Sequence, residues 1–381
     1  MGLFICKYCG NSDPRYLGEK CGVIYCRKCI SFRGEAVSER PFPVRGSGNL
    51  FLDYRLTDKQ RAISEGIVKS FREGKDVLVH AVCGAGKTEI VFDVIQFALA
   101  NKLKVGFAIP RRDVVVELFT RLSNAFRTNS VIALYGGHTE KLDADVIVLT
   151  THQLYRYENF FDLLILDEVD AFPFKDNDVL SAFFSRSVKG SKILLTATPS
   201  GKLLKEFSSD NKRTYELLVR FHNKPIPVPS IIIRPSFLKM VYLVLKLREM
   251  ISKKLPVLIF VPTIQLSTDL LRLIRIFVPG GCSLSSKTAE REETILRFKK
   301  GHLKYLVTTS VLERGVTIRD LQVIVYMSHS SVYSSSTLIQ ISGRVGRKSE
   351  SPKGEIIFLA DKRTEGQSEA IKSIERANAL L

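Results

Sequence analysis

The octapeptide Ala81-Val82-Cys83-Gly84-Ala85-Gly86-Lys87-Thr88 constrains this chain more than any other feature. It follows the apolar run Val77-Leu78-Val79 and precedes the amphipathic run Glu89–Ala100, a spacing that predicts strand, glycine loop and helix in succession. In such a loop the backbone N–H groups close around phosphate oxygens at a helix N-terminus. Gly84, Ala85 and Gly86 would form the cradle, Lys87 would bring charge to the β- and γ-phosphates, and the Thr88 hydroxyl would ligate Mg²⁺. Ala81 stands where the usual pattern has its first glycine.

Short β-rich apolar runs recur after this loop. Val105-Gly106-Phe107-Ala108-Ile109, Val146-Ile147-Val148-Leu149, Leu163-Leu164-Ile165-Leu166 and Ile193-Leu194-Leu195 alternate with helix-like stretches. Uninterrupted runs suit strands buried on both faces of a parallel sheet, with helices as crossovers. The alternation resumes with Val257-Leu258-Ile259-Phe260, Tyr305-Leu306-Val307, Val323-Ile324-Val325-Tyr326 and Ile356-Ile357-Phe358-Leu359. Between the two series, Pro225, Pro227 and Pro229 deny the backbone helix hydrogen bonds and hold it extended. The fold class is therefore α/β, with two doubly wound parallel-sheet lobes. Residues 50–222 form the first lobe, 223–234 a proline-rich linker and 235–381 the second lobe. Residues 1–35 are a four-cysteine module and 36–49, rich in Gly, Pro, Ser and Arg, a connector.

Asp167-Glu168-Val169-Asp170 ends an apolar strand, at the edge where open parallel sheets present their ligands. Asp167 is placed to hold Mg²⁺ and Glu168 to orient or deprotonate the attacking water. In Gln340-Ile341-Ser342-Gly343-Arg344-Val345-Gly346-Arg347, the planar donor forks of Arg344 and Arg347 suit charge developing on a transferring phosphoryl group.

Together with Thr196-Ala197-Thr198-Pro199, these motifs occur in the order of superfamily-two helicases, which residues from about 50 to 381 resemble. The resemblance implies two RecA-like lobes with ATP in the cleft between them. It implies that Gln60 reads adenine, that Gln340 serves the nucleotide, and that Thr196-Ala197-Thr198 couples hydrolysis to the nucleic-acid track. The segment Thr309–Val316 resembles the motif that touches both ligands, Thr309 on the nucleic acid and Gly315 on the nucleotide. Arg111, Arg112 and Thr151 fall in segments resembling the strand-contacting motifs of the first lobe.

Cys6-Lys7-Tyr8-Cys9 and Cys26-Arg27-Lys28-Cys29 are two Cys-x-x-Cys knuckles with 16 residues between them. Four thiolates at this spacing close a tetrahedral Zn²⁺ site, and so short a segment has too little core to fold without a staple. Cys6, Cys9, Cys26 and Cys29 are the expected ligands, with Cys21 an alternative to Cys26. A module of this kind ahead of a helicase core, with Asp167-Glu168-Val169-Asp170-Ala171-Phe172-Pro173-Phe174 as acidic motif, resembles the ComFA family, late-competence helicase-like ATPases of transformable Gram-positive bacteria. PriA carries its zinc module within the second lobe and has a different acidic motif.

The ComFA resemblance implies an ATP-driven translocase on single-stranded DNA at the cytosolic face of the uptake channel. It also implies competence partners such as ComFC and DprA, and leaves room for a homo-oligomer. The formal net charge of +18, from 57 Lys and Arg against 39 Asp and Glu, suits a polyanionic partner, nucleic acid first and an anionic membrane face second. An ATP-gated DNA clamp, a PriA-like helicase and an RNA helicase fit the same motifs. With 45% apolar residues the chain is neither a disordered polymer nor a small disulfide scaffold. Met1-Gly2-Leu3-Phe4-Ile5 runs straight into Cys6 without a charged leader, and charges interrupt every long apolar run, so the expected compartment is the cytosol.

Overall fold

The computed structural model describes residues 4–32, 34–38, 40–285, 288, 290–309, 318–347, 350–379 and 381. Gly315 lies outside the described residues. The chain divides into two compact units, one running through Ala81 and over Gly86–Leu217, the other comprising Leu218–Leu381 with the short segment Val82–Ala85.

The first unit opens on a hairpin of β1 (Leu17–Lys20) and β2 (Val23–Cys26), paired antiparallel with Lys20 opposite Val23. Cys21 and Gly22 make its two-residue turn, with φ of +51° and +75°, the left-handed pair that a tight hairpin requires. Phe32, just beyond the cysteines, meets Phe183 edge to face at 5.0 Å and so packs the module on the body of the unit. The segment read as a connector runs pinned along the same body. Asp145 accepts from the Arg45 and Gly46 amides, Asp143 from Phe42 N, and Asn129 from Gly48 N. Two carboxylates and a carboxamide thus replace the partners that an irregular backbone lacks.

The seven-stranded sheet of this unit uses β3 (Asp76–Ala81), β4 (Val105–Ile109), β5 (Val131–Leu134), β6 (Val146–Thr150), β7 (Phe161–Asp167), β8 (Val188–Thr196) and β9 (Lys212–Leu217). Their order is β5-β6-β4-β7-β8-β3-β9, and every pair is parallel. Strands β4 and β6 are buried at every residue, as their unbroken apolar runs require when helices cover both faces. The helices of this unit are α1 (Asp58–Arg72), which precedes β3, and the crossovers α2 (Phe92–Ala100), α3 (Arg112–Ala125), α4 (Asp178–Ser187) and α5 (Gly201–Glu206). Helix α1 starts on a capping box in which the side chains of Thr57 and Gln60 each accept the other's backbone N–H.

In the second unit, β10 (Ser230–Ile233), β11 (Val257–Phe260), β12 (Gly281–Leu284), β13 (Tyr305–Thr308), β14 (Gln322–Tyr326) and β15 (Ile356–Ala360) form a parallel sheet ordered β10-β15-β14-β11-β13-β12. Its helices are α6 (Ser236–Ser252), α7 (Ile264–Phe277), α8 (Arg291–Lys299), α9 (Ser335–Ser342) and α10 (Glu365–Asn378). The segment expected to be wholly linker ends as a strand. Beyond Pro229 every residue again has an N–H, so the β-branched run Ile231-Ile232-Ile233 pairs with β15. Asn378 on α10 fastens the proline stretch itself, accepting from Ile226 N and donating to Ile226 O, each at 2.8 Å. Among the described residues, no helix is long and apolar enough to cross a membrane.

Candidate active site

Parallel pairing brings the carboxyl ends of β3, β8 and β7 to one sheet edge. His80 lies opposite Thr196, and Leu195 opposite Asp167, so the phosphate loop, the Thr196 turn and the acidic motif leave the sheet almost level. One strand separates β3 from β7, a lateral distance of about 10 Å at the ordinary spacing of neighbouring strands. The loop after β3 turns through Gly84 and Gly86, both left-handed at φ +82° and +85°. At Gly86 a Cβ would overlap the Gln60 carboxamide nitrogen, so only glycine lets Gln60 and the loop approach this closely. Lys87 and Thr88 follow, half-buried. The helix expected from Glu89 begins instead as a 3-10 turn, Glu89–Val91, and becomes α-helical at Phe92. There is no side-chain cap at Thr88, so the first turn is closed by tighter bonds instead.

At the end of β7 the half-buried Asp167 carboxylate accepts the Glu168 amide at 2.8 Å. Glu168 itself takes φ +60°, a costly conformation for a residue with a side chain and a common mark of a working site. Asp170 then ties the motif to the end of β8. One carboxylate oxygen accepts the Thr196 hydroxyl and the other the Thr198 hydroxyl, both at 2.8 Å, while Thr196 Oγ1 accepts Thr198 N at 3.1 Å. The acidic loop cannot shift without disturbing the Thr196-Ala197-Thr198 turn.

The strand-contact candidates share this edge, because β4 and β6 also run parallel with Ile109 opposite Thr150. Arg111 stands just ahead of α3, and exposed Arg112 lies over the Tyr135 ring at 4.7 Å. Thr151 differs from expectation. It is fully buried at the start of a 3-10 turn, so its side chain is not presented to a strand. In the second unit Thr309 follows β13 and is also buried. Gln340 is buried on α9, Arg344 is 2% exposed and Arg347 half-buried in the turn that follows. The sequence treated the two arginines as equals; the turn buries Arg344 and leaves Arg347 the more accessible.

The four-cysteine module is the clearest chelating geometry. The sulfurs of Cys6, Cys9, Cys26 and Cys29 lie within 4.8 Å of one another, with Cys6–Cys29 and Cys9–Cys26 at 3.6 Å. A tetrahedron with metal–sulfur bonds near 2.3 Å has sulfurs about 3.8 Å apart. Cys21 is exposed at the hairpin turn, away from this group. The turn decides between Cys21 and Cys26, since a hairpin tip cannot fold back onto its own base.

Comparison with known proteins places this geometry. The DEAD/DEAH box helicase family matches residues 58–207 and the helicase conserved C-terminal domain matches residues 240–349. Competence protein ComFA of Bacillus subtilis strain 168 is 33% identical over 406 residues, covering 98% of this chain and 86% of that protein. Competence protein ComFA of Streptococcus pneumoniae strain R6 is 34% identical over 398 residues, covering 99% and 91%. The chain belongs to the ComFA family. As a ComFA-family chain with both helicase domains it is a helicase-like ATPase of superfamily two. Its two parallel sheets are RecA-like. S. cerevisiae Dbp5, solved with RNA and ADP BeF3, shares the fold with a TM-score of 0.60 at 16% identity, over 86% of this chain and 92% of that one.

ATP and Mg²⁺, which the DEAD domain implies, fit the residues present. The left-handed glycines make a cradle that a Cβ would fill, and Thr88 and Asp167 are the hard oxygen donors that Mg²⁺ prefers. Sequence reasoning had given Asp170 no role of its own, although its place in the motif was visible. It passed over Arg220 altogether. A single arginine before a run of prolines carries no periodic signal.

Proposed function

We propose that this ComFA-family chain is an ATP-driven translocase on single-stranded DNA, acting in the cytosol at the inner mouth of a DNA-uptake channel during natural transformation. The observation that carries the coupling is the Asp170 carboxylate shared between Thr196 and Thr198, which links the hydrolytic motif to the adjoining turn. A net charge of +18 supports sequence-independent grip on phosphates, strongest at low salt. The names of its two ComFA relatives, competence proteins, support the competence role. Competence proteins such as ComFC and DprA are the partners proposed for it. One Zn²⁺ held by Cys6, Cys9, Cys26 and Cys29 would staple the N-terminal module.

In this reading Gln60 and the Gly84–Gly86 cradle orient the nucleotide, and Lys87 holds its terminal phosphates. Glu168 positions the attacking water and takes its proton. Arg347 and Arg344 stabilise charge on the transferring phosphoryl group. Mg²⁺ at Thr88 and Asp167 supplies charge neutralisation when bound. Arg111 and Arg112 lie at the same edge as Asp170, so a change there is felt where the strand would be held.

The test measures ATP hydrolysis with and without single-stranded DNA, for the wild type and Lys87→Ala, and clearance of a fluorescent block from a long single strand. DNA-stimulated hydrolysis that Lys87→Ala abolishes, together with block clearance, is the expected result. Equal rates in all four samples end the proposal. Hydrolysis without clearance leaves a clamp rather than a motor, and preference for RNA in matched competition at fixed salt makes it an RNA enzyme.

A further inference from the structure

Among the described residues Arg220 and Arg344 are the largest of the fully buried side chains, each 2% exposed, and Arg220 makes no ion pair. Its partners are neutral carbonyls. Nη1 donates to Val345 O at 2.9 Å and Gly346 O at 2.7 Å, Nη2 to Gly343 O at 3.2 Å, and Nε to Cys83 O at 3.3 Å. All belong to the second unit, Cys83 through the short segment Val82–Ala85. His222, two residues on, adds a ring nitrogen at 3.1 Å from Gly346 O. Burial pushes the guanidinium pKa down to about 10, with nearby Arg347 pushing the same way, so the charge is held at a cost.

Such a cost is unusual for a group whose only task is packing, because an apolar side chain of similar size would fill the same space. What Arg220 does that no apolar residue could is satisfy three carbonyls of one tight turn. That turn carries Arg344 and Arg347. Arg347 Nε donates at 3.1 Å to the same Gly343 carbonyl that Arg220 Nη2 binds, so the two arginines share one anchor point. Gly346 lies at φ +67° inside the turn, and its carbonyl accepts the shortest of the Arg220 bonds.

We propose that Arg220 is a positioning residue for ATP hydrolysis: its buried guanidinium fixes the backbone of the turn that carries Arg344 and Arg347. The inference rests on the reading of Arg347 as the group that stabilises the transferring phosphoryl. Arg220 touches neither nucleotide nor water in this scheme. It acts through where Arg347 stands.

The experiment is a kinetic cycle on the full chain with Arg220→Met, Arg220→Lys, Arg347→Ala and the Arg220→Met/Arg347→Ala double variant. The melting temperature, kcat and KM for ATP, and Kd for a non-hydrolysable analogue are measured for each. Misplacing a catalytic group by about an ångström costs about 100-fold, so Arg220→Met should lose about 10- to 100-fold in kcat with KM and Kd within about threefold. Arg220→Lys, which keeps a cation able to meet part of the carbonyl set, should recover part of the loss and carries the test if Arg220→Met fails to fold. The double variant should be no more than about threefold slower than Arg347→Ala alone, since the first residue acts only through the second. A folded Arg220 variant with wild-type kcat, or a double variant slowed by the product of the single losses, overturns the proposal. Unchanged turnover in Arg347→Ala removes the phosphoryl assignment itself and the inference with it, a result distinct from a defective Arg347→Ala beside normal Arg220 variants.

Discussion

Replacing Asp170 by Ala removes the acceptor of two charge-assisted hydrogen bonds and leaves the Thr196 and Thr198 hydroxyls to find other partners. Bonds to a charged group contribute about 1.5–3 kcal/mol each, so the expected loss is about 3–6 kcal/mol. Thr196 is fully buried and keeps a partner in Thr198 N, so the clean probe of the pair is Thr198→Val. Native-state hydrogen exchange at the amides of β8 reads the stability of the strand that ends in Thr196. A double-mutant cycle of Asp170→Ala with Thr198→Val should give a coupling of about 1.5 kcal/mol or more. The same variants should hydrolyse ATP with weakened stimulation by DNA, because the turn would no longer follow the acidic loop. Additivity within about 0.5 kcal/mol, with DNA stimulation intact, would refute the link.

Two further expectations follow from the same structure. Metal analysis should find about one Zn²⁺ per chain, retained in Cys21→Ser and lost when Cys6 and Cys9 are replaced together; loss in Cys21→Ser would contradict the ligand set. Asp145 is the pH probe. Burial alone would raise its pKa, yet hydrogen bonds from Asn129 Nδ2 and the amides of Gly46, Ser130 and Arg45 outweigh burial and hold it below the usual carboxylate range. A depressed carboxylate stabilises the fold above its unfolded pKa of about 3.9, and that stability is lost as pH falls towards the folded value. Urea midpoints of the wild type should therefore fall more steeply below about pH 4 than those of Asp145→Asn, and parallel curves would show that the pinned segment is held by something else.

Local chemistry made much of this protein legible in one dimension. Glycines that need left-handed φ, a lysine and threonine directly after them, and apolar runs long enough for one buried strand all lie within a few residues of each other. Their meaning does not depend on distant chain. The cysteine knuckles are similar, since the two thiols of each pair come from a single short turn. Tertiary structure decided what required distant segments to meet. Cys26 rather than Cys21 joins the sulfur cluster because Cys21 is needed at the hairpin turn. Asp170 acquires its partners because β7 and β8 pair in register, and the burial of Thr151 and Arg344 appears only in the folded chain. Arg220 gains its role only where its guanidinium meets carbonyls more than a hundred residues away, at Gly343, Val345 and Gly346. Spacing along a chain encodes what one turn or strand can do, whereas a hydrogen bond between remote segments exists only after folding has brought them together.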